Sequence, residues 1–242
     1  MKHRILGAIL FSLASTASLV ACAPNPADDV PAAVDPSAVD PAAQAPTEAA
    51  PVEAATEVMP VPAAGALPAG EFPLTGAVRF YASKVTKNHI VEFKTWEGTY
   101  MSDGTAAGTT LNFTVDLASL EVDQGQSEML QKHLQTPDFF DVATYPKATF
   151  VSKSISDGVD ATAFASAEGA THTVTGTFDI HGVQKEISFP VTISDDGAGN
   201  LTAKAKFAVN RQDFKLAYPG KPDDLVRDEV VIEVDAAMTA AG

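Results

Sequence analysis

Residues 174–193 read VTGTFDIHGVQKEISFPVTI and contain two alternating apolar runs on either side of a turn. In the first run, small or polar residues separate Val174, Phe178 and Ile180. The second run carries its apolar residues at every other position from Ile187 to Ile193. Period-two alternation predicts strands with one apolar face, and the His181-Gly182 pair between the runs predicts a tight hairpin turn. This stretch therefore predicts an antiparallel sheet.

The same alternation recurs along the rest of the chain. Further strands are predicted around 77–85, 88–100, 111–117, 148–155, 201–209 and 230–234. Residues Ser127–Gln135 instead carry apolar residues at helical spacing and end before Pro137, which predicts one short helix. About eight strands with few long crossovers favour a closed barrel, since closure leaves no exposed edge. We therefore predict an all-β fold, an antiparallel eight-stranded β-barrel with one short helix, over residues 71–242.

Charge and cysteine content exclude several classes of function. The 242 residues include 31 acidic and 16 basic side chains, a formal net charge of −15. Such a surface repels phosphate backbones and argues against nucleic-acid binding. Cys22 is the single cysteine, so no intramolecular disulfide can form.

The N-terminal segment predicts export. Lys2 and Arg4 precede an apolar stretch of roughly 16 residues, too short and too polar for a bilayer crossing. Residues 1–21 are therefore predicted to be a signal peptide. The tetrad Leu-Val-Ala-Cys at 19–22 resembles the lipobox of bacterial lipoproteins, which implies a lipidated Cys22. Ordinary secretion with an unmodified cysteine is the alternative.

Residues 22–70 differ sharply in composition from the rest. Ten of the sixteen prolines and no aromatic residue lie in 23–70, and the segment has seven acidic and no basic residues. A chain of this kind buries too little apolar surface to offset the entropy of ordering. We predict a lipidated N terminus followed by a disordered tether up to residue 70.

Three stretches together resemble the YceI family. They are Leu130–Val142 with Tyr145–Phe150, Val174–Lys185, and Val209–Phe214. The resemblance spans residues 74–238. It implies a periplasmic, lipocalin-like extended β-barrel, and some members of the family hold a polyisoprenoid chain in the apolar interior.

The predicted ligand-binding wall consists of inward-facing apolar residues. They are Phe113, Val115, Phe150, Phe178, Ile180, Phe189, Val191 and Phe207. An eight-stranded barrel is just wide enough to hold one slender ligand or to be filled by its own side chains, so a packed core is the alternative. Arg211 and Asp213 are candidates for polar ligand contacts at the barrel mouth, or else for an ion pair across the last turn.

The sequence favours binding over catalysis. It contains no nucleophile elbow, no phosphate loop and no dinucleotide fingerprint, and its histidines lack the spacing of a metal site. We therefore expect no catalytic residue, no metal and no cofactor apart from a bound isoprenoid lipid. The predicted function is a non-catalytic envelope lipoprotein that carries or sequesters an isoprenoid-type lipid. The alternative is an interaction or scaffold protein with a filled core that acts in envelope stress or assembly.

The predicted location is the periplasmic side of a bacterial membrane, with the membrane contacted through lipidated Cys22. Ala23 follows the cysteine where an aspartate would signal retention at the inner membrane, so the outer membrane is favoured.

Overall fold

The computed structural model describes residues 23–36, 67–105, 108–160, 163–164, 166–167 and 169–239. Within these ranges the chain forms thirteen strands and one α-helix. The strands are β1 (Gly70–Pro73), β2 (Thr75–Ser83), β3 (Asn88–Phe93), β4 (Trp96–Ser102), β5 (Thr110–Asp116), β6 (Leu120–Val122), β7 (Lys147–Asp157), β8 (His172–Ile180), β9 (Val183–Asp195), β10 (Leu201–Asn210), β11 (Gly220–Lys221), β12 (Asp224–Leu225) and β13 (Glu229–Met238). The helix α1 is Glu128–Leu134.

Three of the long strands are bent and are each divided into two segments. β1 and β2 meet at Leu74, β3 and β4 meet at 94–95, and β5 and β6 are separated by a 3₁₀ turn, Leu117–Ser119. Counted as whole strands, they pair in the order β1/β2, β3/β4, β5/β6, β7, β8, β9, β10, β13, and every pair is antiparallel. β13 then pairs with β2, which joins the two ends of the series. The predicted lipocalin-like, all-β class is confirmed, with eight long strands divided into more segments than the sequence indicated.

Glycine permits the bend through which β1 and β2 reach two different neighbours. β1 pairs with β4, whereas β2 pairs with β13. Gly76, at the start of β2, has φ of 131°, and a Cβ atom there would lie 2.0 Å from the Asp235 carbonyl oxygen. No other residue fits so close to the neighbouring backbone.

The connections divide into two ends of the barrel. The lower end comprises the segments 84–87, 123–146, 181–182 and 211–228, and the upper end comprises the described residues of 103–109, 158–171 and 196–200. The predicted helix is present at the lower end, where Leu134 is buried against the barrel core. None of the helices in the described ranges is long and apolar enough to cross a membrane.

Residues 23–36, which we call the strap, dock on the barrel wall. β9 and β10 pair only where Thr192–Asp195 face Leu201–Lys204. Nearer the lower end a short piece of the strap lies between them. Val34 and Ser188 of β9 exchange two backbone hydrogen bonds of 2.9 and 2.8 Å.

The other side of the strap pairs with β10. The Ala33 N–H donates to the Ala208 carbonyl, and the Ala208 N–H donates to the Pro31 carbonyl, both at 2.8 Å. The Ala33 side chain packs on the barrel core. Pro190 of β9 lies between the stretch paired with the strap and the stretch paired with β10, and it has no N–H to donate, which interrupts the ladder there.

The prediction of a disordered tether over 22–70 is therefore wrong for 23–36. The composition argument counts buried apolar area, but the strap is held largely by backbone hydrogen bonds, which do not depend on side-chain type. The folded domain also begins before the predicted residue 71, because Leu67 is buried and the Pro68 carbonyl accepts a hydrogen bond from the Tyr100 hydroxyl. Cys22 and the tether segment 37–66 lie outside the described residues.

A Val34→Pro substitution tests the strap. It removes the Val34 N–H, which donates to the Ser188 carbonyl. We therefore expect hydrogen exchange at the Ser188 and Ala208 amides to accelerate by about tenfold, a factor that corresponds to the free energy of roughly one hydrogen bond. Hydrogen exchange followed by mass spectrometry or NMR measures this. Val34→Ala keeps the N–H and serves as the matched control. Equal exchange in both variants would show that these amides are protected without the strap.

Candidate functional site: two apolar chambers inside the barrel

The upper half of the barrel encloses a cavity of about 120 Å³, the upper chamber. Its wall is almost entirely carbon. The residues around it come from every long strand of the barrel and are Leu67, Leu74, Val78, Tyr100, Thr109, Leu111, Phe113, Val115, Ala148, Thr149, Phe150, Ile155, Val174, Phe178, Ile187, Phe189, Val191, Ile193, Leu201, Ala203, Ala205, Phe207, Ile232, Val234, Ala236 and Met238. The hydroxyl groups of Tyr100 and Thr109 are hydrogen bonded to the chain's own carbonyls.

A second cavity of about 130 Å³, the lower chamber, lies towards the helix and the 211–228 segment. Helix α1 and the residues after it contribute to its wall. The lining residues are Val78, Arg79, Phe80, Ala82, Phe93, Val115, Leu117, Leu134, Phe139, Phe140, Ala148, Phe178, Ile180, Val209, Arg211, Phe214, Leu216, Val226, Val230 and Ile232.

The two chambers are neighbours along the barrel axis. Five residues line both of them and form what we call the waist: Val78, Val115, Ala148, Phe178 and Ile232. Phe178 supplies the only ring of the five, and its ring lies edge-on to that of Phe214 at 5.2 Å. The interior is thus neither fully packed nor one open tunnel.

Each chamber is small. A cavity of ~150 Å³ lined by aliphatic and aromatic side chains stays dry and takes a guest the size of benzene. Each chamber is therefore large enough for a short branched hydrocarbon segment, and a longer chain has to pass the waist.

All eight apolar residues predicted from sequence line a chamber. Phe113, Phe150, Phe189, Val191 and Phe207 line the upper one alone. Ile180 lines only the lower one, and Val115 and Phe178 belong to the waist. Alternation along the strands is therefore sufficient to identify inward-facing positions.

Sequence reasoning missed much of the lower chamber. Phe80 alternates with Val78 along β2, so the strand pattern could have identified both. Leu134, Phe139 and Phe140 lie on the helix and the turn after it, where no alternation marks an inward side. Only the folding of this segment across the barrel end brings them to the chamber.

An aromatic stack closes the inner side of the seam between β9 and β10. The rings of Phe189 and Phe207 are parallel within 11°, with centroids 4.1 Å apart, and Phe150 lies 5.4 Å from Phe189. The strap lies in the same seam, where its backbone is hydrogen bonded to Ser188 of β9 and Ala208 of β10. The three rings therefore line the upper chamber at the place where the strap completes the wall.

Arg211 lines the lower chamber, but its guanidinium is hydrogen bonded to other residues of the protein. The residue is 4% exposed. Its guanidinium donates to the carbonyls of Arg227, Leu216 and Val226 and to the Asp228 carboxylate at 2.9 Å. Burial lowers the pKa of Arg211, which the Asp228 charge partly offsets. Arg211 thus fastens the 211–228 segment to the barrel end.

Asp213 is placed differently from the sequence expectation. It lines neither chamber, and its carboxylate pairs with Lys185 at 3.1 Å on an exposed surface. The suggested ion pair across the last turn is wrong in its partner, because Arg211 binds Asp228 instead. The two residues lie on one 3₁₀ turn, Arg211–Phe214, which directs the first inward and the second outward.

Within the described ranges, no group of three or more His, Cys, Asp or Glu side chains could hold a metal ion. The chambers also bring no acid–base pair together. What this interior offers a ligand is apolar contact.

One buried titratable group predicts a pH dependence of stability. His172, at the upper end of β8, is 3% exposed, and burial lowers its pKa, while Asp157 at 3.2 Å acts in the opposite direction. The unfolded chain then takes up a proton at a higher pH than the folded one. We expect the free energy of unfolding to fall as the pH drops below ~6.5, by at most about 1.4 kcal/mol per pH unit.

Urea unfolding between pH 7.5 and 5 measures this effect. His172→Gln should remove most of the slope in that window, since it does not titrate. An unchanged slope in the variant would assign the pH dependence to other groups.

The eight-stranded antiparallel wall with an apolar, partly hollow interior defines a lipocalin-like barrel. The chain belongs to the YceI-like domain family, whose model matches residues 73–238. A UPF0312 protein of Pseudomonas fluorescens (strain SBW25) is 33% identical over 146 residues, covering 58% of this chain and 70% of that protein.

Two solved structures share the fold. BcnA of Burkholderia cenocepacia superposes with a TM-score of 0.52 at 26% identity, covering 67% of this chain and 96% of that one. A polyisoprenoid-binding domain from Saccharophagus degradans, implicated in plant cell wall breakdown, gives a TM-score of 0.52 at 18% identity, covering 70% and 98%. At that identity the second likeness concerns the fold alone.

Proposed function

We propose that this protein is a non-catalytic envelope lipoprotein whose barrel binds the hydrocarbon chain of an isoprenoid-type lipid. The observation that carries the proposal is the pair of apolar chambers placed end to end along the barrel axis. Family membership and the binding named for the Saccharophagus degradans domain support the same ligand class.

The chamber walls fit an isoprenoid better than a polar ligand. An isoprenoid chain is slender, branched and without polar atoms, and each buried CH₂ contributes ~0.8 kcal/mol. The two chambers are separated by the narrower waist. This shape suits a hydrocarbon chain in which wider methyl-branched units alternate with narrower unbranched segments. Any polar head group of the lipid has to remain outside this carbon-lined interior, because burial without partners would be costly.

Extraction of the purified protein with organic solvent, followed by mass spectrometry, tests the proposal. We expect co-purified isoprenoid lipid, or binding of added ubiquinone-8 or undecaprenyl phosphate by the emptied protein. A saturated phospholipid of similar length serves as the control ligand. An empty barrel with no affinity for either isoprenoid probe would contradict the function.

A filled-core interaction protein is the second candidate, and the small size of the chambers favours it. Ligand sites of ordinary size run from ~300 to 1,000 Å³, well above either chamber. In that case the cavities are packing defects, and the outer surface carries the function. Substitutions at the waist distinguish the two candidates and are described in the Discussion.

The proposed anchor is a lipidated Cys22, with the outer membrane as the favoured site. Cys22→Ser should move the protein from the membrane fraction to the soluble periplasmic or secreted fraction, measured by fractionation and immunoblotting. Lipid affinity of the purified variant should stay within about twofold of the parent, since the chambers lie inside the barrel. A Cys22→Ser protein that still sediments with membranes would contradict the anchor.

A further inference from the structure

The strap fixes where the chain leaves the barrel. The Ala23 N–H donates to the Val85 carbonyl at 2.9 Å, and the Ala23 carbonyl accepts from Arg227 at 2.8 Å. The Asn88 side chain donates to the Pro24 carbonyl at 2.9 Å. These contacts hold the start of the strap at the lower end, beside the turn between β2 and β3.

The position of Ala23 limits the reach of the anchor. Cys22 is the covalent neighbour of Ala23, and adjacent Cα atoms lie about 3.8 Å apart. Acyl chains on Cys22 would therefore enter the bilayer next to the lower end of the barrel. A docked strap leaves no length of chain between the anchor and the fold.

Exposed apolar side chains gather at the same end. Among the described residues, five large hydrophobic side chains are exposed, and three of them are Met129, Leu225 and Ile90. Leu225 and Ile90 flank the start of the strap, because the Leu225 carbonyl accepts from Val85 and Ile90 follows Asn88 on the outer face of β3. Met129, in the first turn of α1, is 87% exposed.

Charge is also distributed unevenly along the barrel axis. The sequence segments of the lower end contain seven basic residues against eight acidic ones. The described residues of the upper-end segments include three acidic ones, Asp103, Asp160 and Asp196, and no basic one. An anionic bilayer therefore repels the upper end more strongly than the lower end, whose net charge is close to zero.

We propose that the lower end is the membrane-contacting surface of the protein, and that its occupant is the bilayer holding the lipidated Cys22. This inference rests on the anchor proposed above. The barrel then stands on the membrane with Leu225, Ile90 and Met129 towards the headgroups. The lower chamber is the one nearer the bilayer, which gives a lipid chain the shorter path.

Depth-dependent fluorescence quenching in vesicles tests the orientation. Leu225→Cys and, as the matched control at the upper end, Ala198→Cys would be introduced into the full-length lipidated protein and labelled with a maleimide fluorophore. Lipidation blocks the Cys22 thiol, so only the new cysteine reacts. The vesicles would contain phosphatidylethanolamine, phosphatidylglycerol and a nitroxide-labelled lipid.

We expect the label at 225 to lose most of its emission and the label at 198 to lose little. The two ends are separated by roughly 25 Å, the height of a ten-residue strand tilted in a barrel. Equal quenching at both sites, or stronger quenching at 198, would overturn the orientation. The mass of the Cys22 peptide from the same sample reports the anchor separately. An unmodified Cys22 would overturn both proposals, whereas a lipidated Cys22 with equal quenching would overturn only the orientation.

Discussion

Replacement of Arg211 by alanine is expected to lower the free energy of unfolding by about 3 kcal/mol. The guanidinium satisfies three backbone carbonyls, and removal of the donor leaves these acceptors without partners, at roughly 1–3 kcal/mol for each one that stays buried. The Asp228 carboxylate adds little to the loss because it is half-exposed. Urea denaturation at pH 7.5 measures the change.

Two further variants separate this effect from a general loss of charge at the barrel end. Arg211→Lys keeps the charge but lacks the planar, forked guanidinium. It should therefore retain only part of the stability that Arg211→Ala loses. Asp213→Asn breaks the exposed pair with Lys185 and should cost less than 1 kcal/mol. Comparable losses in Arg211→Ala and Asp213→Asn would contradict the role assigned to Arg211.

Opposite substitutions at the waist are expected to change lipid binding in opposite directions. Phe178→Ala removes the ring between the chambers and should raise affinity for an isoprenoid probe about tenfold, equivalent to ~1.4 kcal/mol. Ala148→Leu adds three carbon atoms at the same level and should lower affinity by at least as much. Titration of the delipidated protein with ubiquinone-8 measures both effects.

The stability of the same variants tests the filled-core alternative. Phe178 already borders empty space on both sides, so we expect Phe178→Ala to cost about 2–3 kcal/mol, below the 3–5 kcal/mol typical of a packed phenylalanine. Ala148→Leu should be nearly neutral if it fills the cavity, whereas overpacking costs about 1–3 kcal/mol. The filled-core interaction protein would be favoured by a loss of about 3–5 kcal/mol in Phe178→Ala and about 1–3 kcal/mol in Ala148→Leu, with lipid affinity unchanged in both.

The strands and the chamber walls were predictable because their signal is local. Alternation along 174–193 identifies Phe178, Ile180, Phe189 and Val191 as inward-facing without knowledge of any partner strand, since a strand turns successive side chains to opposite faces. The short helix before Pro137 was predictable for the same reason.

Positions that depend on contacts between distant segments were not predictable. Arg211 and Asp213 are two residues apart and look equivalent in the sequence, yet one is buried among carbonyls from 216–227 and the other is exposed. Their difference arises from the loop that folds back over the barrel end. The waist likewise exists only because residues from five different strands meet at one level of the axis.

The sequence by itself determined the all-β class, the eight alternating strands, the apolar interior and the membership in a family of barrels, because each of these depends on residue type at short spacing. Only the tertiary structure decided that the interior is divided into two chambers. It also decided that the Arg211 guanidinium is hydrogen bonded within the protein, and that the strap lies in the seam between β9 and β10. The strap shows the reason most clearly. Its composition predicts disorder, but the unpaired edges of two strands, 154 and 176 residues further along the chain, offer its backbone the hydrogen bonds that hold it.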